Sequence, residues 1–139
     1  MKCFPIFCCA MLLATASGLP AQTRPGDTVV DVPFSFQVNG QPLPAGHYIV
    51  ARFDTVHVRI SSATRNLYVA THGVLRNRDY DSKLVFHRYG ETYFLTAIWV
   101  MGNSTGRELA RSAAERALSA RKSEMELAVV RPTKPPSAK

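Results

Sequence analysis

Apolar and polar side chains alternate along most of the chain. The alternation is cleanest where Val30, Val32, Phe34, Phe36 and Val38 are interleaved with Asp31, Pro33, Ser35 and Gln37. A period of two is the mark of a half-buried strand, because successive side chains leave opposite faces. Pro33 has no amide to donate, so the strand over 29–38 is expected at a sheet edge, where it can pair with a partner, or with the Pro33 position facing outward. Asn39-Gly40 follows as a hairpin turn, two residue types that tolerate positive φ. A Pro-rich connection over 41–46 leads to strands expected over 47–53, 56–60 and 67–75, the last with Tyr68, Ala70, His72 and Val74 on one side.

The densest stretch is 84–100, two aromatic and β-branched strands meeting at Gly90. A two-residue loop on Gly90-Glu91 suits a type II′ turn, and Tyr89-Gly90 is the other candidate. Either loop places Leu84, Phe86, Tyr93, Leu95, Ala97 and Trp99 on one face, with Val85, His87, Phe94, Thr96, Ile98 and Val100 on the other. Two apolar faces predict central strands covered on both sides, by a second sheet and by a helix or closed interior. After Asn103 the period changes. Thr105-Gly106-Arg107-Glu108 has the form of a capping box, predicting a helix over 105–122. Its thin apolar stripe is Leu109, Ala113, Ala117 and Ala120, with Glu115 facing water. A final strand over 125–130 precedes a Pro/Lys tail. The expected fold is mainly β: an antiparallel, partly closed barrel or sandwich of about seven or eight strands, with one helix before the last strand.

Composition changes this picture mostly at the ends. Met1-Lys2, the apolar run over 4–16 and the small residues around Ala16 and Ala21 read as a signal peptide over 1–21. One β-rich domain over 22–131 and a flexible tail over 132–139 complete the expected organisation. All three cysteines, Cys3, Cys8 and Cys9, lie within the signal-like segment. The remainder is therefore neither a disulfide scaffold nor a thiol enzyme, and its stability must come from an apolar core. The formal net charge is +7, but the arginines are scattered without a lysine-dense run or aromatic interleaving. That favours a solvated basic surface over a nucleic-acid platform. The expected location is exported, periplasmic or extracellular, with no transmembrane segment once the signal is cleaved.

Three pieces together resemble a group of small, signal-peptide-bearing, secreted bacterial β-rich proteins of unknown function. They are Val32-Pro33-Phe34-Ser35-Phe36 with Leu43-Pro44-Ala45-Gly46-His47-Tyr48, then Leu84-Val85-Phe86-His87-Arg88-Tyr89-Gly90, then Gly106-Arg107-Glu108-Leu109. The resemblance spans nearly the whole chain after the signal-like segment. It implies export and carries no activity, cofactor or catalytic residue.

The candidate chemistry is sparse. His47, His57, His72 and His87 fall on different predicted strands and form no metal-binding spacing, so no metal or cofactor is expected. If their strands pair, His72 and His87 can meet, and with Asp79 or Asp81 they would make an acid/base or metal-dependent hydrolase site. His87, Arg88 and Tyr93 are the candidate ligand-binding set, with Arg88 lying over the Tyr93 ring. The same placement also serves simple packing. The leading expectation is an exported, non-enzymatic β-domain that binds a small molecule or a cell-envelope partner. The alternatives are the hydrolase and a basic polyanion binder, which salt-dependent binding would distinguish. The pattern leaves the oligomeric state open.

Overall fold

A computed structural model of the chain describes residues 24, 26–75, 81–100, 104–121 and 124–133. The strands are β1 (Thr28–Val32), β2 (Phe36–Val38), β3 (Gln41–Leu43), β4 (Gly46–Arg52), β5 (His57–Ser61), β6 (Asn66–Leu75), β7 (Lys83–Tyr89), β8 (Thr92–Trp99) and β9 (Thr105–Leu109). Helix α1 (Ala113–Ala120) and strand β10 (Met125–Val130) follow. The signal-like segment, most of the charged 76–82 loop with Asp79, and the tail beyond Thr133 lie outside the described residues.

Two layers arise because β6 serves both. Its first half, 66–70, pairs with β5, continuing through β4 to β1; its second half, 71–75, pairs with β9. From β9 the second layer runs through β8 to β7 and β10. The short hairpin of β2 and β3 joins the other part of the β8 edge, where Gln37 lies parallel to Phe94. Strands β1 and β10 lie close but form no ladder. Beyond β10, the Thr133 amide donates to the Val29 carbonyl at 3.1 Å and spans the gap. The fold is thus a mostly antiparallel sandwich, not closed into a barrel.

The predicted strand over 29–38 is two strands. Pro33, Phe34 and Ser35 interrupt it, and the chain crosses there from the first layer to the second. Val30, Val32, Phe36 and Val38 nevertheless all point into the core. A break of three residues between Val32 and Phe36 preserves the parity, so the alternation survives the change of layer. With β3 formed inside the Pro-rich connection and the 29–38 strand divided, the described residues form ten strands, more than the seven or eight expected. The Asn39-Gly40 turn has φ of 49° and 81°, both positive as a type I′ hairpin requires.

The central hairpin closes on Gly90-Glu91, with Tyr89 opposite Thr92 and Gly90 at φ 61°. Its expected faces hold only near the turn. Val85 is opposite Ala97 whereas Phe86 is opposite Leu95, so Thr96 is an extra residue in β8. A bulge of this kind exchanges the faces beyond it. Ile98 therefore joins Leu84, Phe86 and Leu95 in the core between the layers, and Ala97 and Trp99 turn to the other side. The Thr96 hydroxyl donates to the Val85 carbonyl at 3.0 Å, satisfying an acceptor at the irregularity. The core is bound by edge-to-face rings, Phe86 meeting Phe34 at 5.1 Å and Phe36 at 5.3 Å.

The helix begins later than the capping box at Thr105 predicts. Residues Thr105–Leu109 pair with both β6 and β8, and two ladders outweigh a helix start. Ser112 is the N-cap instead, and its hydroxyl accepts from the Glu115 amide at 3.2 Å. The alanine stripe does not face the sheet: Ala113, Ala117 and Ala120 are exposed, while Leu109 is buried as a strand residue. Glu115, expected in water, is the buried residue of the helix at 2% exposure.

Candidate functional site

Each of the four histidines has its own carboxylate, and the four pairs lie in four places. His47 meets Asp31 at 2.6 Å, His57 meets Asp54 at 2.8 Å, His72 meets Glu108 at 3.6 Å, and His87 meets Glu115 at 2.6 Å. His72 sits on β6 and His87 on β7, and strands β9 and β8 separate them in the sheet. The expected meeting of His72, His87 and Asp81 therefore does not occur, because their strands do not pair. Asp79 is outside the described residues. Among the described residues no group of three histidine, cysteine or acidic side chains is placed to hold a metal ion.

The most buried polar cluster holds the helix to the sheet. Glu115 Oε1 accepts from His87 Nδ1, lies 3.5 Å from the Tyr89 hydroxyl and is 3.9 Å from Arg111 Nε. A carboxylate only accepts, so with Glu115 ionised it is Nδ1 that carries the proton in this bond. His87 and Tyr89 project from the face of β7 away from the inter-layer core, and helix α1 covers that face through Glu115. That arrangement orients an imidazole, and it is first of all a polar clasp.

Arg88 is committed to its surroundings. Its Nε donates to the Gly90 carbonyl at 2.7 Å, its terminal nitrogens approach Glu126 at 3.4 Å and Glu91 at 3.8 Å, and its carbon stands 5.5 Å from the Tyr93 ring centre. Tyr93 in turn stacks on Phe34 at 3.8 Å. The structure brings Arg88 and Tyr93 together as expected and sends His87 to the opposite face. These partners all belong to the hairpin and its neighbour β10, which is the packing role.

The Asp31 and Asp54 carboxylates are tuned by local hydrogen bonds. Asp31 is lowered first by the Thr133 hydroxyl, at 2.7 Å, and then by His47. Asp54 caps the β4–β5 turn, accepting from the amides of His57 at 2.6 Å and Val56 at 2.7 Å, and those bonds with the His57 ring hold its pKa down to about 2. A carboxyl whose folded pKa is depressed stabilises the fold above its unfolded value of 3.8 and loses that contribution as pH falls toward about 2. An NMR titration of the Asp54 carboxyl should find its midpoint near 2, and Asp54→Asn should remove the part of the acid transition linked to it. A midpoint at the ordinary aspartate position would mean that the turn does not hold these bonds in solution.

Two concave regions stand out among the described residues. The smaller, about 150 Å³, lies at one end of the sandwich between Val50, Val58, Ile98, Thr105 and Arg107. The larger, about 460 Å³, is an open groove between the β3–β4 turn (Pro42, Pro44, Gly46) and the β5–β6 turn (Ser62, Thr64, Arg65). Small-molecule sites usually occupy about 300–1,000 Å³, so only the second is large enough. Tyr48 forms its floor and donates its hydroxyl to the Pro44 carbonyl, which keeps the first turn in place. Burial pushes that phenol up, and the neighbouring Arg65 guanidinium acts in the opposite sense. In the second turn the Ser62 amide donates to the Arg65 carbonyl at 2.8 Å, presenting the Arg65 side chain at the rim. Among the described residues Arg65 pairs with no carboxylate. The sequence pattern marks both segments only as turns, because the groove exists only once β3, β4, β5 and β6 are registered side by side.

Protein-family models, curated proteins and solved structures were all compared with this chain, and none matches it.

Proposed function

We propose that this chain is an exported, non-enzymatic β-domain that binds a small anionic ligand in the groove between Pro42–Tyr48 and Ser62–Arg65. The observation that carries the reading is the Arg65 guanidinium, which pairs with no carboxylate among the described residues, at the rim of a groove of about 460 Å³. A cation without a partner at a concave surface is where a carboxylate or phosphate gains most from the protein, through charge-assisted hydrogen bonds. The Thr64 hydroxyl adds a neutral donor, and Pro42, Pro44 and Ala63 offer an apolar wall. The preferred ligand is thus a compact anion with a flat or aliphatic body. Export rests on the signal-like features of residues 1–21. The non-enzymatic part is supported by the histidines, each engaged by its own carboxylate at a separate place.

The test is an amide NMR titration with benzoate, an anion joined to a flat apolar ring. Shifts should gather at Gly46, Tyr48 and the 62–65 turn, and Arg65→Ala should weaken the response about tenfold, the loss of one charge-assisted bond at an open site. Shifts spread over the whole basic surface, or the same affinity in Arg65→Ala, would refute the groove as the site.

A further inference from the structure

Two arginines stand at core-facing positions at the same end of the sandwich. Along β4 the inward side chains are Tyr48, Val50 and then Arg52; along β9 they are Leu109, Arg107 and then Thr105. The two-residue period of a strand puts each series on one face. Each layer therefore carries an arginine where its core face runs out. Between the two lies the cavity of about 150 Å³, walled by the buried Val50, Val58 and Ile98 and the half-buried Val100.

Both guanidiniums are held at one turn. Arg52 Nε donates to the Asp54 carbonyl at 3.4 Å, and Arg107 Nη1 donates to the carbonyl of the next residue, Thr55, at 2.6 Å. Among the described residues neither has a carboxylate within ion-pair distance. Asp54 spends its oxygens on the Val56 and His57 amides and the His57 ring, and Glu108 leaves the other face of β9 toward His72. Two like charges gathered beside an apolar wall repel one another. An anion between them turns that repulsion into attraction and gains charge-assisted hydrogen bonds from both.

We infer that this end of the sandwich is a binding site for a straight-chain alkyl carboxylate, its carboxylate between Arg52 and Arg107 and its tail in the cavity. The cavity is below the volume that encloses an ordinary ligand. It takes the tail of a molecule whose charged head stays at the mouth. An aliphatic cavity of about 150 Å³ stays dry and accepts a benzene-sized group, which sets the tail at about five or six carbons. Each methylene moved from water onto such a wall strengthens binding about fourfold. The site is independent of the Arg65 groove, which opens between the β3–β4 and β5–β6 turns.

The full chain titrated with acetate, butanoate, hexanoate and octanoate should show amide shifts at Val58, Ile98, Thr105 and Arg107. Affinity should rise about tenfold at each step to hexanoate, then level off at octanoate, whose last carbons the cavity cannot enclose. Arg52→Gln changes an exposed side chain and should leave the melting temperature unchanged while weakening hexanoate about tenfold. Arg65→Ala should leave hexanoate binding at these amides unaltered. Equal affinity for acetate and hexanoate overturns the inference, because the arginines would then only cover the end of the core with their aliphatic stems. So does a hexanoate affinity indifferent to Arg52→Gln. Shifts confined to the 62–65 turn, or none at all at the highest hexanoate concentration, overturn it as well.

Discussion

Glu115→Ala is expected to detach helix α1 from the sheet and to lower stability by about 3 kcal/mol, because His87 Nδ1 and the Tyr89 hydroxyl lose their acceptor and each buried unsatisfied group costs about 1–3 kcal/mol. The reason lies in how little else holds the helix. Its alanines are exposed, Leu118 is only half-buried, and the fully buried side chain is the carboxylate itself. Without Glu115, His87 and Tyr89 lose their common acceptor while remaining largely enclosed. The loss has a ceiling, because the helix can leave and let water reach the imidazole, so the cost cannot exceed that of undocking α1. Glu115→Gln keeps an oxygen that can accept from Nδ1 and should cost only about 1 kcal/mol. Denaturant melts give the totals, and amide exchange gives the location. Exchange in α1 should accelerate in Glu115→Ala while β7 and β8 stay protected. A mutant with native exchange in the helix would show that apolar contacts, not the clasp, hold it.

Gly106→Ala should also destabilise the fold, by about 2 kcal/mol, although alanine is ordinarily the better strand residue. Extending the β8–β9 register by one pair sets Gly106 opposite Trp99, and the indole lies flat across the glycine. A methyl group there would overlap three ring carbons of Trp99, Cε3, Cζ3 and Cη2. The backbone of Gly106 is not in the left-handed region, so the cost comes from the ring and not from strain. Replacing glycine in a strand gains about 0.5–1 kcal/mol of backbone entropy, and forcing a bulky ring out of a packed site costs about 1–3 kcal/mol. The second effect wins while the indole is present. In a Trp99→Leu background the sign should reverse and Gly106→Ala become neutral or stabilising, a coupling that a double-mutant cycle measures directly. Equal losses in both backgrounds would mean that the ring is not what the alanine meets.

The same glycine explains why the helix was mislocated by pattern. Thr105-Gly106-Arg107-Glu108 satisfies the local requirements of a helix start, but the free-energy balance at these residues is dominated by two neighbouring strands and one indole, all distant in sequence. Ser112-Ala113-Ala114-Glu115 satisfies the same requirements and does cap the helix. Two competing signals a few residues apart cannot be ranked without knowing which residues a ladder claims. Thr96 is a similar case: no local feature marks it as the extra residue in β8, yet it reverses the faces of Ala97, Ile98 and Trp99. The site was less legible still. Arg88 and Tyr93 do come together, through cross-strand pairing that the hairpin register already implies. The Arg65 groove needs turns from two separate hairpins, and neither turn carries a motif.

Alternation, turn glycines and the lack of cysteine after residue 9 were enough to determine a β-rich domain, its hairpins at Asn39-Gly40 and Gly90, and most of the side chains in its core. These are local properties, set by the two-residue period of a strand and by the φ that a tight turn demands. Only the tertiary structure decided which strands are neighbours, and therefore that His72 and His87 stay apart, that a glutamate and not an alanine stripe docks the helix, and that β10 ends a sheet with its leucine in water. Those outcomes depend on register between distant segments, for which the pattern of one strand carries no information about its partner.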